Sequence, residues 1–180
     1  MIVILDLDGT LVAGNNYSCP LDDDDRQMSD FSLEYSLTDN YIYQLRPGIK
    51  EFLSWLFEHH RVVVWSANPD YHVKKLVEKI FGSLASKIER IYDVKHCSVT
   101  SIGLHERVFV KPVSIVAKEL GDSCILIDDR ECNVSYNPGS ALLIPTYKFI
   151  FDRHKLEVIP SDNELALCIE KLKNIACDGK

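Results

Sequence analysis

Three short apolar runs, each cut off by a polar residue, constrain this chain more than any other feature. Ile2 to Leu5 stops at Asp6, Val62 to Trp65 stops at Ser66, and Ile125 to Ile127 stops at Asp128. Near-continuous β-branched runs without alternation describe strands buried on both faces, as in a parallel sheet. Segments of helical period lie among them. Ile49, Phe52, Leu53 and Leu56 share one face, as do Val73, Leu76, Val77 and Ile80 after Pro69, and Val113, Val116, Ala117 and Leu120 after Pro112. A proline suits a first helical turn. A last helix is expected from Ser161, with Glu164 three positions on as a capping box, and Leu165, Cys168, Ile169 and Leu172 on one side. Alternating strand and helix predicts a doubly wound, mainly parallel α/β sheet.

Two stretches break the rhythm. Residues 13–30 are polar and acidic and read as a loop, after which FSLEYS and YIYQL flank a turn at Thr38 to Asn40. Together, 13–45 is expected to form a loop plus a β-hairpin flap. Residues 83–110 read as a small insertion with strand-like segments around a polar centre. Without repeats or a low-complexity linker, residues 1–180 are expected to form a single domain. With 46% hydrophobic residues, the chain has ample material for a core, and its net charge of -7 argues against a mainly electrostatic nucleic-acid binder. No apolar run approaches the ~18–20 residues of a membrane span. The opening MIVILDLDGTL lacks a basic leader, so no secretory signal is expected. Six scattered cysteines without a C-x-x-C pair fit an intracellular, reducing compartment, cytoplasmic or nuclear.

In a parallel sheet the working side chains sit just past the carboxyl ends of the strands. Asp6 and Asp8, Ser66, Lys111, and Asp128 with Asp129 fall at such places. Asp6-Leu7-Asp8-Gly9-Thr10 crowds two carboxylates, and a neighbouring strand adds Asp128 and Asp129. That repulsion calls for a cation, and oxygen-only ligation favours Mg2+, with Asp6, Asp8, Asp128 and Asp129 as metal candidates. Magnesium commonly completes its shell with phosphate, which Lys111, Ser66, Thr10 and the backbone at Ala67 and Asn68 are placed to hold. A carboxylate beside such an ion can attack phosphorus, and one two residues later can serve as acid and then base. Asp6 and Asp8 are therefore the catalytic candidates.

D-L-D-G-T-L at 6–11, a strand ending in Ser66, Lys111 opening a helix, and I-D-D at 127–129 resemble the four ordered motifs of the haloacid-dehalogenase (HAD) superfamily. The resemblance covers nearly the whole chain. It implies a HAD-like Rossmannoid fold and a magnesium-dependent phosphatase working through an aspartyl-phosphate. By it, Asp6 is nucleophile and metal ligand, and Asp8 is general acid/base and a carbonyl ligand. Ser66 and Lys111 hold phosphate, and Asp129 is the metal ligand of the acidic pair, with Asp128 beside it. Y-Q-L-R-P-G-I-K-E-F-L at 43–53, V-V-V-W-S-A-N at 62–68 and V-K-P-V-S at 110–114 are similar to the NLI-interacting-factor (NIF) type phosphatases of the RNA polymerase II C-terminal domain. This narrower likeness implies a phosphorylated protein segment, such as that C-terminal domain, as partner. Gly9, Pro112 and Asp129 depart from the NIF type, which usually has an acidic residue, an aspartate and often an asparagine there, and each departure points to the general HAD pattern. The intervals from Asp6 to Ser66 and from Ser66 to Lys111 leave no room for a large cap domain, which favours a phosphoserine or phosphothreonine in a protein.

Two alternatives stay open at this stage: a phosphatase for small metabolites, nucleotides or nucleic-acid ends, and a binding module that keeps the fold without turnover. Several other residues read as structure. Asp22 to Asp25 is expected to be a solvated loop. His59 and His60 sit at a helix end, where cations favour the dipole. Trp55 and Trp65 follow the apolar pattern, and Cys97 and Cys132 fall near the rim of the site. Tyr41 and Tyr43 on the hairpin could line a peptide groove or pack on the core, and Arg46 could brace the hairpin.

Overall fold

The structure is a computed structural model that describes residues 1–27, 29–36, 38–102, 106–148, 150–152, 155–157 and 162–178. Its elements run β1 (Ile2–Leu5), β2 (Val12–Tyr17), α1 (Asp23–Gln27), β3 (Phe31–Glu34), β4 (Asn40–Leu45), α2 (Ile49–His59), β5 (Arg61–Trp65), α3 (Asp70–Phe81) and β6 (Arg90–Tyr92). There follow β7 (Ser98–Ile102), β8 (Glu106–Val110), α4 (Val113–Leu120), β9 (Cys124–Asp128), α5 (Glu131–Tyr136), β10 (Ala141–Leu143), β11 (Ile150–Asp152), β12 (Lys155–Glu157) and α6 (Glu164–Asp178).

The three apolar runs become the middle of a parallel sheet ordered β10-β9-β1-β5-β6. β1 lies at its centre, Ile4 registering with Val63 on one side and Leu126 on the other. Successive strand residues point to opposite faces, so each run feeds two cores. Val3, Leu5, Val62, Val64, Ile125 and Ile127 pack with Phe52 and Leu56 of α2, Val73 and Leu76 of α3, and Leu165 and Leu172 of α6. Ile2, Ile4, Val63, Trp65 and Leu126 face Val113 and Val116 of α4. Full burial of such side chains contributes ~1.5–3 kcal/mol each, and that explains why near-continuous apolar strands are needed. The fold is a mainly parallel α/β structure with helices on both faces. α4 stops at Gly121, whose left-handed backbone (φ 66°) lets its N–H reach the Ala117 carbonyl.

The four expected helical faces are present in α2, α3, α4 and α6. The proposed Ser161 cap lies outside the described residues. Asp162 takes that part, its Oδ1 accepting from the Glu164 N–H at 3.0 Å. The stretch 13–30 is not simply a loop. Its start forms β2, which pairs antiparallel with β4 along the whole strand, so the expected β3–β4 hairpin grows into a three-stranded flap ordered β2-β4-β3. Nor is the acidic run a loop, although Asp22 and Asp23 are solvent-exposed as expected. Asp22 Oδ1 accepts from the Asp25 N–H at 2.8 Å and Asp25 Oδ2 from the Asp22 N–H at 3.1 Å, a reciprocal cap that starts α1 and buries Asp25.

Residues 83–110 also divide differently from the single insertion expected. β6 joins the main sheet parallel to β5, and the β7–β8 hairpin stands outside it. β10 at the opposite edge and the β11–β12 hairpin were not foreseen. Among the described residues no helix is long and apolar enough to cross a membrane, and no disulfide joins two cysteines.

Candidate active site

The turn after β1 carries the first two carboxylates. Asp6 donates its N–H to Ile127 of β9 at 3.1 Å, which fixes the strand end against its neighbour. Beyond it the chain closes tightly. The Thr10 and Leu11 N–H groups donate to the Leu7 carbonyl, and the Gly9 N–H donates to Val12 at 2.7 Å. Gly9 makes this possible with φ +80°, and a Cβ there would come within 2.3 Å of Asp129 Oδ2. Thr10 Oγ1 then donates to Asp6 Oδ2 at 3.1 Å.

Lys111, just before α4, reaches across the strand ends. Its ammonium is buried, donating to Asp6 Oδ1 and, at 2.7 Å, to Asp128 Oδ2. Two asparagines hold this arrangement in place. Asn133 Oδ1 accepts from the Lys111 N–H at 3.0 Å while its Nδ2 donates to Asp128 Oδ2 at 2.9 Å. Asn137 Nδ2 donates to the carbonyls of Lys111 and Asn133. Asp128 Oδ1 accepts from the Arg130 N–H at 2.9 Å, so both of its oxygens are occupied.

Asp129 differs: its Oδ1 is buried and has no hydrogen-bond partner among the described residues. Oxygens of Asp6, Asp128 and Asp129 lie within 4.8 Å of one another. A converging all-oxygen donor set with one buried, unpartnered oxygen fits a hard divalent cation such as Mg2+.

Electrostatics agree with this crowding. Burial pushes the Asp6 carboxyl up, opposed by the Lys111 charge and reinforced by Asp128. Burial likewise raises Asp8 to about 6, against the pull of Lys111 and of the Asn68 hydrogen bond. Asp129 is raised by burial first, with Thr146 opposing. For Lys111, burial alone would lower the pKa, but Asp6 and Asp128 together outweigh it and hold the ammonium charged.

The loop after β5 closes the other side. Ser66 is buried, its N–H donating to Tyr92 at 3.1 Å and its Oγ accepting from the Asn68 N–H at 3.3 Å. Asn68 Nδ2 donates to Asp8 Oδ2 at 2.8 Å, tying this loop to the carboxylate turn, with Ala67 half-buried between. All the residues nominated from sequence therefore lie at one end of the sheet. The sequence reading missed Asn133, Asn137 and Thr146. A polar residue one helical turn beyond Asp128-Asp129 is the only sequence signal that could have found Asn133.

Beside Asn68, the first turn of α3 meets the flap. His72 is buried and bridges two tyrosines, Nδ1 to Tyr35 Oη at 2.9 Å and Nε2 to Tyr43 Oη at 2.8 Å. Tyr43 stacks on Phe31, while Tyr35 meets Tyr41 and the exposed Tyr71 edge-on. Tyr43 thus belongs to the packed interior and Tyr41 to the half-buried rim. On the other flank a cleft of about 420 Å³ runs past Asp8, Gly9, Asp129, Thr146 and Lys148. A larger cavity of about 680 Å³, among Met1, Val113, Cys124 and Ile175, lies at the amino ends of the strands, away from these groups.

A family model described as NLI interacting factor-like phosphatase matches residues 1–179. The chain belongs to that family. Among curated relatives, it is 26% identical over 140 residues to the ubiquitin-like domain-containing CTD phosphatase 1 of Xenopus tropicalis, covering 73% of this chain and 42% of that protein. It is also 26% identical over 115 residues to the mitochondrial import inner membrane translocase subunit TIM50 of Kluyveromyces lactis, covering 64% of this chain and 22% of that one. The chain thus spans well under half the length of these relatives. A structure of Fcp1, described as an essential RNA polymerase II CTD phosphatase, matches with a TM-score of 0.56 at 17% identity, covering 97% of this chain and 48% of that one. The fission yeast Fcp1-R271A structure bound to beryllium fluoride matches with a TM-score of 0.55 at 18% identity, covering 81% and 41%. Such likenesses establish the fold, and NIF-type members of the HAD superfamily share it.

Proposed function

We propose that this chain is a magnesium-dependent protein phosphatase that removes phosphate from serine or threonine through an aspartyl-phosphate on Asp6. The observation that carries this reading is the meeting of Asp6, Lys111, Asp128 and Asp129 at the strand ends, with one buried Asp129 oxygen unpartnered among the described residues. Mg2+ bound by Asp6, Asp129 and the Asp8 carbonyl, with Asp128 beside them, would offset the charge between carboxylate and phosphate. Lys111 supplies the fixed positive charge on the protein side. Ser66, Thr10 and the amides at Ala67 and Asn68 hold the phosphate oxygens. Asp6 attacks phosphorus as the bond to the leaving oxygen breaks. Asp8, whose raised pKa keeps its acid form available, gives that oxygen its proton and later takes one from the water that attacks phosphorus, as the bond from Asp6 to phosphorus breaks, the Asp6 carboxylate is restored and inorganic phosphate leaves.

The relatives' names, CTD phosphatase 1 and Fcp1, favour a phosphorylated protein segment as substrate, the RNA polymerase II C-terminal domain among the candidates. The intervals between the strands support an accessible site. They are taken up by the flap and α2, and then by α3, β6 and the β7–β8 hairpin.

Asp6→Asn is expected to abolish Mg2+-dependent hydrolysis of an aryl phosphate while leaving the circular dichroism spectrum unchanged. Undiminished turnover would remove the nucleophile. Comparing phosphopeptides with a panel of phosphorylated metabolites tests the substrate, and a clear preference for metabolites defeats the open-site argument. The likeness to a translocase subunit favours one further reading, a binding module without turnover. Absence of any aryl phosphatase activity in the wild-type protein would select it.

A further inference from the structure

Arg46 is almost fully buried, and no step of the chemistry above uses it. Its guanidinium faces four groups from three separate stretches of chain. Nη1 donates to the Thr10 carbonyl at 3.0 Å and reaches the Gly9 carbonyl at 3.5 Å. Nη2 donates to the Pro145 carbonyl at 2.8 Å. Nε donates to both oxygens of Asp162, at 3.1 and 2.9 Å, and the ring of Tyr147 covers it at 5.5 Å. The Arg46 main chain adds a bond from its N–H to Leu11 at 2.9 Å. The grip therefore falls on residues 9 to 11, directly after Asp8, and includes the threonine that bonds Asp6.

We infer that Arg46 is a positioning residue, which holds the Asp6–Leu11 turn in its working geometry, and that Asp162 holds Arg46. The kinetic half of this inference rests on the phosphatase reading. The fork geometry is what matters. A planar guanidinium presents five donors in fixed directions, whereas a lysine ammonium is a point charge that cannot serve three carbonyls and a carboxylate together. Asp162 also caps α6, so the final helix is wired through one side chain to the turn that carries the nucleophile. Loosening that turn displaces Asp6 and Asp8 from phosphorus; of the groups assigned to the phosphate only Thr10 lies on it, while Ser66 and the amides at Ala67 and Asn68 stay in place on the loop after β5. The expected signature is a loss in kcat with little change in KM, since misplacement of ~1 Å can cost about 100-fold.

The test compares wild type, Arg46→Lys and Asp162→Asn, with Leu76→Ala as a destabilised control remote from the turn. Two quantities are measured: kcat and KM on an aryl phosphate, and amide hydrogen exchange across residues 7–12 and 73–80. Arg46→Lys is expected to lower kcat about 10- to 100-fold with KM within about twofold, to speed exchange at 9–12, and to leave 73–80 protected. Leu76→Ala is expected to keep its kcat at temperatures where it is folded. If Arg46→Lys fails to fold, Asp162→Asn decides the matter by a smaller kcat loss with faster exchange at 9–12. Unchanged exchange at 9–12, full rescue of kcat by lysine, or an equal kcat loss in Leu76→Ala overturns the inference. A wild-type protein without turnover sinks the phosphatase reading instead, and the exchange comparison alone then decides whether Arg46 braces the turn.

Discussion

Gly9 shows how one missing side chain shapes the site. Its positive φ already disfavours an L-residue by ~1–2 kcal/mol, and the place its Cβ would take lies 2.3 Å from Asp129 Oδ2. A side chain at position 9 could therefore not be accommodated with the Asp129 carboxylate where it stands. Gly9→Ala is expected to push Asp129 aside and raise the Mg2+ concentration for half-maximal activity by about 10- to 100-fold, read from a metal titration, with a lower melting temperature. Asp6 and Asp128 were legible in the sequence because each ends or follows an apolar strand, and parallel pairing brings those ends together. Lys111 was legible as the residue between an apolar strand and a proline-led helix, although β8 pairs with β7, outside the parallel sheet. Asn133 was not, and Arg46 was read only as a brace for the hairpin. Arg46 serves carbonyl oxygens, which any residue type can supply, and its carboxylate partner Asp162 lies far along the chain. Asn133 joins Asp128 to the Lys111 backbone, a contact that exists only once α5 has docked.

Helices α2, α3 and α6 were readable because their buried residues recur at helical spacing, a pattern that survives in single-sequence form. β2 was hidden by its composition. Ala-Gly-Asn-Asn has low strand propensity, and the strand exists because β4 offers it a ladder and because the Tyr43 ring lies against Gly14. β6 and β10 are three residues each, too short for any periodicity. The flap is pinned to α3 through His72, and this joint has a pH signature. Burial lowers the His72 pKa, with Asp39 opposing and Lys75 assisting. The native state therefore holds the neutral ring, one nitrogen donating and the other accepting between Tyr35 and Tyr43. Below the unfolded value of ~6.5 the unfolded chain takes up the proton more readily, so stability contributed at neutral pH is lost as pH falls. From pH 7 to 5 the melting temperature of the wild type should drop more steeply than that of His72→Gln; parallel slopes would remove the assignment.

One core spans the chain from Val3 to Leu172, so α6 and β1 stand or fall together. Leu172 is fully buried, and Leu172→Ala is expected to destabilise the whole molecule by about 2–5 kcal/mol. Urea unfolding followed by both tryptophan fluorescence and circular dichroism should give one coincident transition at a lower midpoint, and separate transitions would show α6 to be an independent unit. Sheet order carries a consequence for biosynthesis. β1 leaves the ribosome ahead of both strands that flank it, since β5 begins at Arg61 and β9 at Cys124. At ~5–20 residues per second a bare, wholly apolar tetrapeptide must wait several seconds, both hydrogen-bonding edges open, before its second neighbour exists. Nascent chains of this protein should therefore need shelter early in translation, and slowing synthesis between the two partners lengthens the interval in which β1 can pair with the wrong chain.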